Sequence, residues 1–113
     1  MALDLSKKVP RRGREMLGGY AWLARLNDKA RAKAAGTLDE YICLCPMDEG
    51  FLKRAGVSQT DYLALIGQAK TDAEIIDFFD RRVTDRSRDA ANRWILEDRA
   101  ENLDRQDGEE GYA

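Results

Sequence analysis

Apolar positions recur at three- and four-residue steps over most of the chain, the spacing of helices with one buried face. Leu23, Leu26, Ala30 and Ala34 trace such a stripe along a first helix, predicted over roughly Tyr20 to Ala35. Tyr62, Leu63, Leu65, Ile66 and Ala69 give a short helix with a broad apolar face. Ile75, Phe79 and Val83 form the most regular stripe of another, and Ala91, Trp94, Ile95 and Leu103 mark a last helix over about Arg88 to Arg105. Strand alternation is nearly absent. Only Tyr41-Ile42-Cys43-Leu44-Cys45 is β-rich, and its place after a helix-start signal and before Pro46 favours a short helix there too.

Punctuation agrees with the periodicity. Thr37 to Glu40, Ser58 to Asp61 and Thr71 to Glu74 each place a hydroxyl three residues ahead of an acid. The hydroxyl accepts from the backbone N–H at the third helical position, and the acid reaches back to the cap. Gly36 and Gly56 stand where helices end in a left-handed residue, so ends are predicted at about Ala35 and Ala55, and Asp48 is placed to cap a helix from Glu49 to Ala55. The predicted fold is all-α: a compact single-domain bundle of four to five short helices over residues 11–103. Residues 1–10, without periodicity, are expected as a flexible N-terminal segment, and residues 104–113 as an acidic flexible tail.

Composition narrows the possibilities. A chain of 113 residues supports one modest core, and 43% hydrophobic residues are enough to fill it. No apolar run reaches the length of a membrane span, and the first residues lack a signal-peptide core. Two cysteines one residue apart make no disulfide framework, so a reduced, cytoplasmic setting without membrane association is expected. The chain has no histidine, which removes the commonest general base and metal ligand. Two thiols with carboxylates make a poor zinc set, so neither metal nor cofactor is expected. Charge is uneven: Met1 to Ala35 carries nine basic and three acidic side chains, a net of +6, which leaves −8 for the remainder of a chain at −2. Pairing between the two parts is the simpler reading, and an anionic partner the other.

Candidate chemistry concentrates between Gly18 and Asp48. On a helix, Asp28 and Lys29 lie three and four residues from Arg25, and Arg31 lies three from Asp28, so one carboxylate is flanked by two guanidiniums. A solvated face of exchanging pairs is the plain expectation. The sharper one is an anion site, with Arg25 and Arg31 as planar donor forks held by Asp28. In Cys43-Leu44-Cys45-Pro46-Met47-Asp48, at least one thiol is expected in the core, and Cys45, at the break made by Pro46, is the better candidate for reactivity. Trp22, Tyr41, Tyr62 and Trp94 read as core and core-rim groups. Arg11, Arg12 and Arg14 offer contacts to a nucleic-acid backbone, but an isoelectric point near 5.2 and the absence of a recognition motif make nucleic acid an unfavoured partner.

A set of these residues resembles a known family. Leu17-Gly18-Gly19-Tyr20, the run from Arg25 to Ala32, Gly36-Thr37-Leu38, Tyr41 and Cys45-Pro46-Met47-Asp48 are similar to small bacterial proteins grouped as domain of unknown function 5069. Thr71 to Glu74 and Arg93-Trp94 continue the likeness, which covers about Asp4 to Leu96. Asn27 stands where an aliphatic residue is usual, and Met47 where leucine is. The resemblance implies bacterial origin and a compact helical domain, and carries no activity, cofactor or catalytic residue.

The functional expectation is a binding or regulatory module for a small anionic ligand or a protein partner. Its site is assembled from Arg25, Asp28, Arg31, Tyr41, Cys45 and Asp48. One alternative is a small enzyme using Cys45 as nucleophile or Asp28 and Asp48 as an acid–base pair, with Arg25 holding an anionic substrate. The other is a purely structural interaction protein.

Overall fold

The computed structural model describes residues 2–112. The described residues form six α-helices: α1 (Leu23–Ala35), α2 (Pro46–Ala55), α3 (Gln59–Gly67), α4 (Asp72–Arg82), α5 (Asp85–Arg93) and α6 (Ala100–Glu110), with a π-helical turn, Trp94–Asp98, between the last two. No strand occurs among them, only one isolated bridge between Leu17 and Tyr20. The all-α expectation therefore holds, and the helix count is corrected upward from four or five.

Three local causes account for the differences. The last predicted helix is split, because the π turn closes on Arg99, whose φ of −110° and ψ of 23° interrupt the helical backbone before α6. Its first part starts earlier than predicted, at Asp85, capped by Thr84, whose hydroxyl accepts from the Ser87 N–H at 3.1 Å. The helix expected after Thr37 does not form. Asp39 there has φ of 56°, incompatible with a helix interior, and the Thr37 hydroxyl donates to the Leu3 carbonyl at 2.7 Å instead of capping. The other two hydroxyls cap as predicted, Ser58 for α3 and Thr71 for α4, but only at Thr71 does the acid, Glu74, reach back to the cap.

Helix α2 also begins earlier than predicted. Pro46 takes its first position, where a missing N–H is harmless, and Cys45 is the cap. Asp48 is thus the third helical residue, and its carboxylate accepts from the Cys45 N–H at 2.9 Å. At its start, α1 is shorter than predicted. Gly18 and Gly19 have φ of 61° and 89° in a tight turn closed by reciprocal Leu17–Tyr20 hydrogen bonds, and that turn holds Tyr20 outside the helix. A Cβ on Gly18 would also lie 2.7 Å from Ile76, so the turn is packed as well as bent.

Helix α1 runs through the middle of the domain. From Leu23 to Ala30 every residue is buried, including Arg25, Asn27, Asp28 and Lys29. The core beside it is organised on Phe79, which meets Tyr20, Phe51, Tyr62 and Phe78 with ring centroids 5.3–6.4 Å apart. Such pairs add about 0.5–1.5 kcal/mol each beyond the area they bury. Helix α2 approaches the π turn closely at Gly50, where a Cβ would overlap Trp94 Cη2 and lie 2.6 Å from Cζ3 of the same ring.

Residues 104–113, expected as a flexible tail, continue as helix to Glu110, because their acids meet arginines of the N-terminal segment and of α1. The expected N-terminal segment is tied down too: Leu5 is buried and its N–H donates to the Thr37 carbonyl at 2.9 Å. Met1 and Ala113, the ends of those two segments, lie outside the described residues.

Candidate functional site

A charge in a protein interior requires a partner and satisfied hydrogen bonds. Helix α1 presents four polar side chains to the interior within five residues, and they turn in different directions to meet that requirement. Arg25, Asp28 and Arg31 do not pair with one another along the helix; each finds a partner on another element.

The most enclosed group is the Asp48 carboxylate at the start of α2, which is 0% exposed. It accepts from Trp22 Nε1 at 2.8 Å, Lys29 Nζ at 2.9 Å and the Cys45 N–H at 2.9 Å. Lys29, itself 3% exposed, also donates to Cys45 Sγ at 3.3 Å. The partly exposed Cys45 thiol thus borders a buried ammonium at the head of α2. Cys43 is buried, and burial pushes its thiol up to about 11.

The second group centres on Arg25. Its guanidinium makes a two-pronged contact with Glu110, Nη1 to Oε1 at 2.8 Å and Nη2 to Oε2 at 2.7 Å, and the Tyr41 hydroxyl donates to the same carboxylate at 3.0 Å. The indole of Trp22 lies 5.5 Å from the guanidinium carbon and the Tyr41 ring 5.7 Å, so two aromatic faces flank the cation. Burial opposes charge on Arg25, and the Glu110 carboxylate more than offsets it, holding the guanidinium above its ordinary value. Burial and the hydrogen bond to Glu110 together push the Tyr41 phenol up to about 12. Arg25 Nε is buried with no partner.

Trp22 joins these two groups. Its φ of 72° is a left-handed value that a bulky side chain adopts only at a cost of order 1–3 kcal/mol. The conformation starts α1, lets the Trp22 N–H reach the Gly13 carbonyl at 2.8 Å, and aims the indole at Asp48, with Lys29 Nζ 5.7 Å from its ring. Arg25 and Asp48 therefore meet one indole, with Tyr41 flanking Arg25 and Cys45 hydrogen-bonded to Asp48 and Lys29.

Asp28 and Arg31 are brought together elsewhere. Asp28 accepts the Arg11 N–H at 2.8 Å and two guanidinium contacts from Arg11 at 3.0 Å. Arg11 and Arg31 both pair with Asp72, at 3.0 and 2.8 Å. Asn27 belongs to this network as well. It donates to Asp72 at 3.1 Å and accepts from the Tyr62 hydroxyl at 2.6 Å, so its amide carries hydrogen bonds as well as packing. Burial raises the Asp72 carboxyl, and Arg11 and Arg31 more than reverse this, leaving it below its ordinary value. Arg31 alone of the six predicted residues lines the surface cavity of about 370 Å³ between the ends of α1 and α3, whose floor is Ala34, Ala35, Ile66 and Ala69.

Sequence reasoning missed Lys29, Trp22 and Glu110 as members of the cluster around Trp22, and Arg11, Asn27 and Asp72 in the other network. Glu110 lay in a segment expected to be a tail, and Asp72 passed as one more acid at a helix start. The +6 and −8 imbalance was the available signal: Arg12, Arg14 and Arg25 of the basic part meet Asp104, Asp107 and Glu110 of the acidic part. Among the described residues no group of three or more Cys, Asp or Glu is placed to hold a metal ion, and no helix is long and apolar enough to cross a membrane.

Fold and networks together define a small all-α domain whose interior cations are neutralised by carboxylates from distant elements. The chain belongs to the family described as Domain of unknown function (DUF5069), which matches residues 7–112 and so takes in α6. No curated protein is matched by the sequence.

Proposed function

We propose that the chain is a binding module that recognises a carboxylate or similar anion at the seat formed by Arg25 and Tyr41 over Trp22. One observation carries the reading: an anion of the right kind already occupies the seat, since Glu110 is held by a guanidinium fork and a phenol at 2.7–3.0 Å. Buried arginine with flanking aromatic rings is an arrangement suited to planar anions. The left-handed Trp22 adds support, because backbone strain of this kind gathers at sites where geometry matters. Asp28 and Arg31, proposed from sequence for the same site, are better read as the brace that fixes α1 against Arg11 and α4.

The test uses the full chain with Glu110→Gln, which keeps the side-chain shape and removes the charge. Succinate or inorganic phosphate in the millimolar range should raise the melting temperature of this variant and leave the wild type, whose seat is filled, nearly unchanged. Adding Arg25→Lys, which removes the fork, should abolish the shift. Identical responses from all three proteins would end the proposal.

A second reading, covalent chemistry at Cys45, is favoured by the Lys29 ammonium 3.3 Å from its sulfur. Lys29→Met should then slow alkylation of Cys45, and an unchanged rate would remove this reading.

A further inference from the structure

We propose that the face beneath α6 is a docking groove for an acidic helix of a partner protein, with α6 as its resident, self-inhibiting occupant. The inference rests on the anion seat at Arg25 and extends it from a single carboxylate to a helix.

Three features of α6 support it. Its acids Asp104, Asp107 and Glu110 recur at three-residue steps, and only Leu103 among its apolar residues is buried. A helix that serves mainly as core wall carries a wider apolar stripe. Each acid meets a cation of the body: Arg14 contacts Asp104 at 2.8 Å and Asp107 at 3.0 Å, Arg12 pairs with Asp107, and Arg25 holds Glu110. Beyond the helix, the Tyr112 hydroxyl donates to the Pro10 carbonyl at 3.0 Å and its ring lies under Arg12. The groove therefore reads charge at a fixed helical spacing, with a leucine slot where Leu103 fits against Gly13 and Trp22.

Two further observations concern how α6 is attached to the body. The aromatic cluster around Phe79 uses no residue of α6, and Leu103 is the one α6 side chain in the hydrophobic core. The chain leaves α5 through the π turn and then breaks helical geometry at Arg99, before α6 begins. A partner helix with the same acid spacing competes with α6 for the same arginines. Because α6 is tethered, its effective concentration is of millimolar order, so an untethered helix binds the closed chain weakly.

The experiment uses the full chain carrying Asp107→Asn and Glu110→Gln, and a fluorescein-labelled synthetic peptide of residues 99–112 as probe. By anisotropy at low salt, the variant should bind the peptide at least tenfold more tightly than wild type does. Neutralising the three acids of the peptide should weaken binding at least tenfold, as should 0.5 M salt. No binding to the variant, or equal binding of the neutralised peptide, overturns the proposal. Hydrogen exchange on the wild-type chain tests it without relying on the variant's fold. Amides of α6 should exchange faster than those of α1 and be accelerated by salt; exchange of α6 only at the α1 rate overturns it. A concentration-dependent wild-type dimer that exchanges α6 between copies would also overturn it, by making a second copy the occupant. If succinate binds Glu110→Gln through Arg25 but the peptide does not bind, the groove fails and the anion seat stands. If neither binds, both fail.

Discussion

Replacing Asp48 by asparagine should be among the most damaging small changes available to this protein. The carboxylate is 0% exposed and accepts from three donors: Trp22 Nε1 to one oxygen, Lys29 Nζ and the Cys45 N–H to the other. After Asp48→Asn, the oxygen that remains serves Trp22 or the other two donors, but not both. The amide nitrogen then faces a donor and leaves the Lys29 ammonium, only 3% exposed, without a counter-charge. Removing one partner of a buried ion pair costs about 3–5 kcal/mol, a large part of the roughly 5–15 kcal/mol that holds a domain together. The partner change is milder. In Lys29→Met the carboxylate retains Trp22 and the Cys45 N–H, and the aliphatic stem of the side chain is replaced by one of similar length. The double variant, which has no buried charge at either position, should be more stable than Asp48→Asn alone. Urea unfolding followed by far-UV circular dichroism measures all three free energies, and the cycle gives the coupling. An Asp48→Asn variant within about 1 kcal/mol of wild type, or a double variant no better than Asp48→Asn, would refute the claim that this pair is isolated from water.

Other consequences follow from packing and ionisation. Gly50→Ala places a Cβ where the Trp94 ring lies, 2.6 Å from Cζ3 at the undisplaced position, and should cost about 1–3 kcal/mol in the same urea assay. Iodoacetamide at pH 8 should modify Cys45 and spare Cys43, which is 4% exposed and whose thiol burial pushes up to about 11; peptide mapping distinguishes them. In the case of Asp107, burial alone would raise the carboxyl, but Arg12 and Arg14 hold it below its ordinary 3.8. Its stabilising contribution is therefore complete above the unfolded-state value and is lost as pH falls through the lower folded one. Acid below about pH 4 should loosen α6 in wild type, and Asp107→Asn should flatten that transition.

Much of the fold was legible in the sequence because local signals determine it. The cap at Thr71, the glycine ends at Gly36 and Gly56, and the spacing of Ile75 and Phe79 are each decided locally and each appears in place, while Val83, the last of that predicted stripe, is the extended residue just past α4. Other features depend on distant partners. Thr37 carries the same local signal as Thr71, yet Leu3 takes its hydroxyl and Asp39 adopts a left-handed backbone. The polar run of α1 looked like a solvated face because periodicity weighs charge against burial residue by residue. Only the tertiary pairing with Asp48, Arg11 and Glu110 makes burial of these groups tolerable. Of the six site residues proposed from sequence, Arg25 and Asp48 contact Trp22, Tyr41 and Cys45 are linked to those two, and Asp28 and Arg31 are joined in a second network through Arg11 and Asp72. The residue that links Arg25 to Tyr41, Glu110, stands 85 positions from Arg25 and no local pattern points to it.

An Arg25 seat filled from within the chain is reported directly by the nitrogen NMR spectrum of its guanidinium. A guanidinium held at both prongs rotates slowly, so wild-type Arg25 should show resolved Nη resonances. Glu110→Gln should collapse them into one averaged signal, and saturating succinate should restore the resolved pattern. Averaged Arg25 resonances in the wild type, or a Glu110→Gln spectrum indifferent to succinate, would contradict that reading.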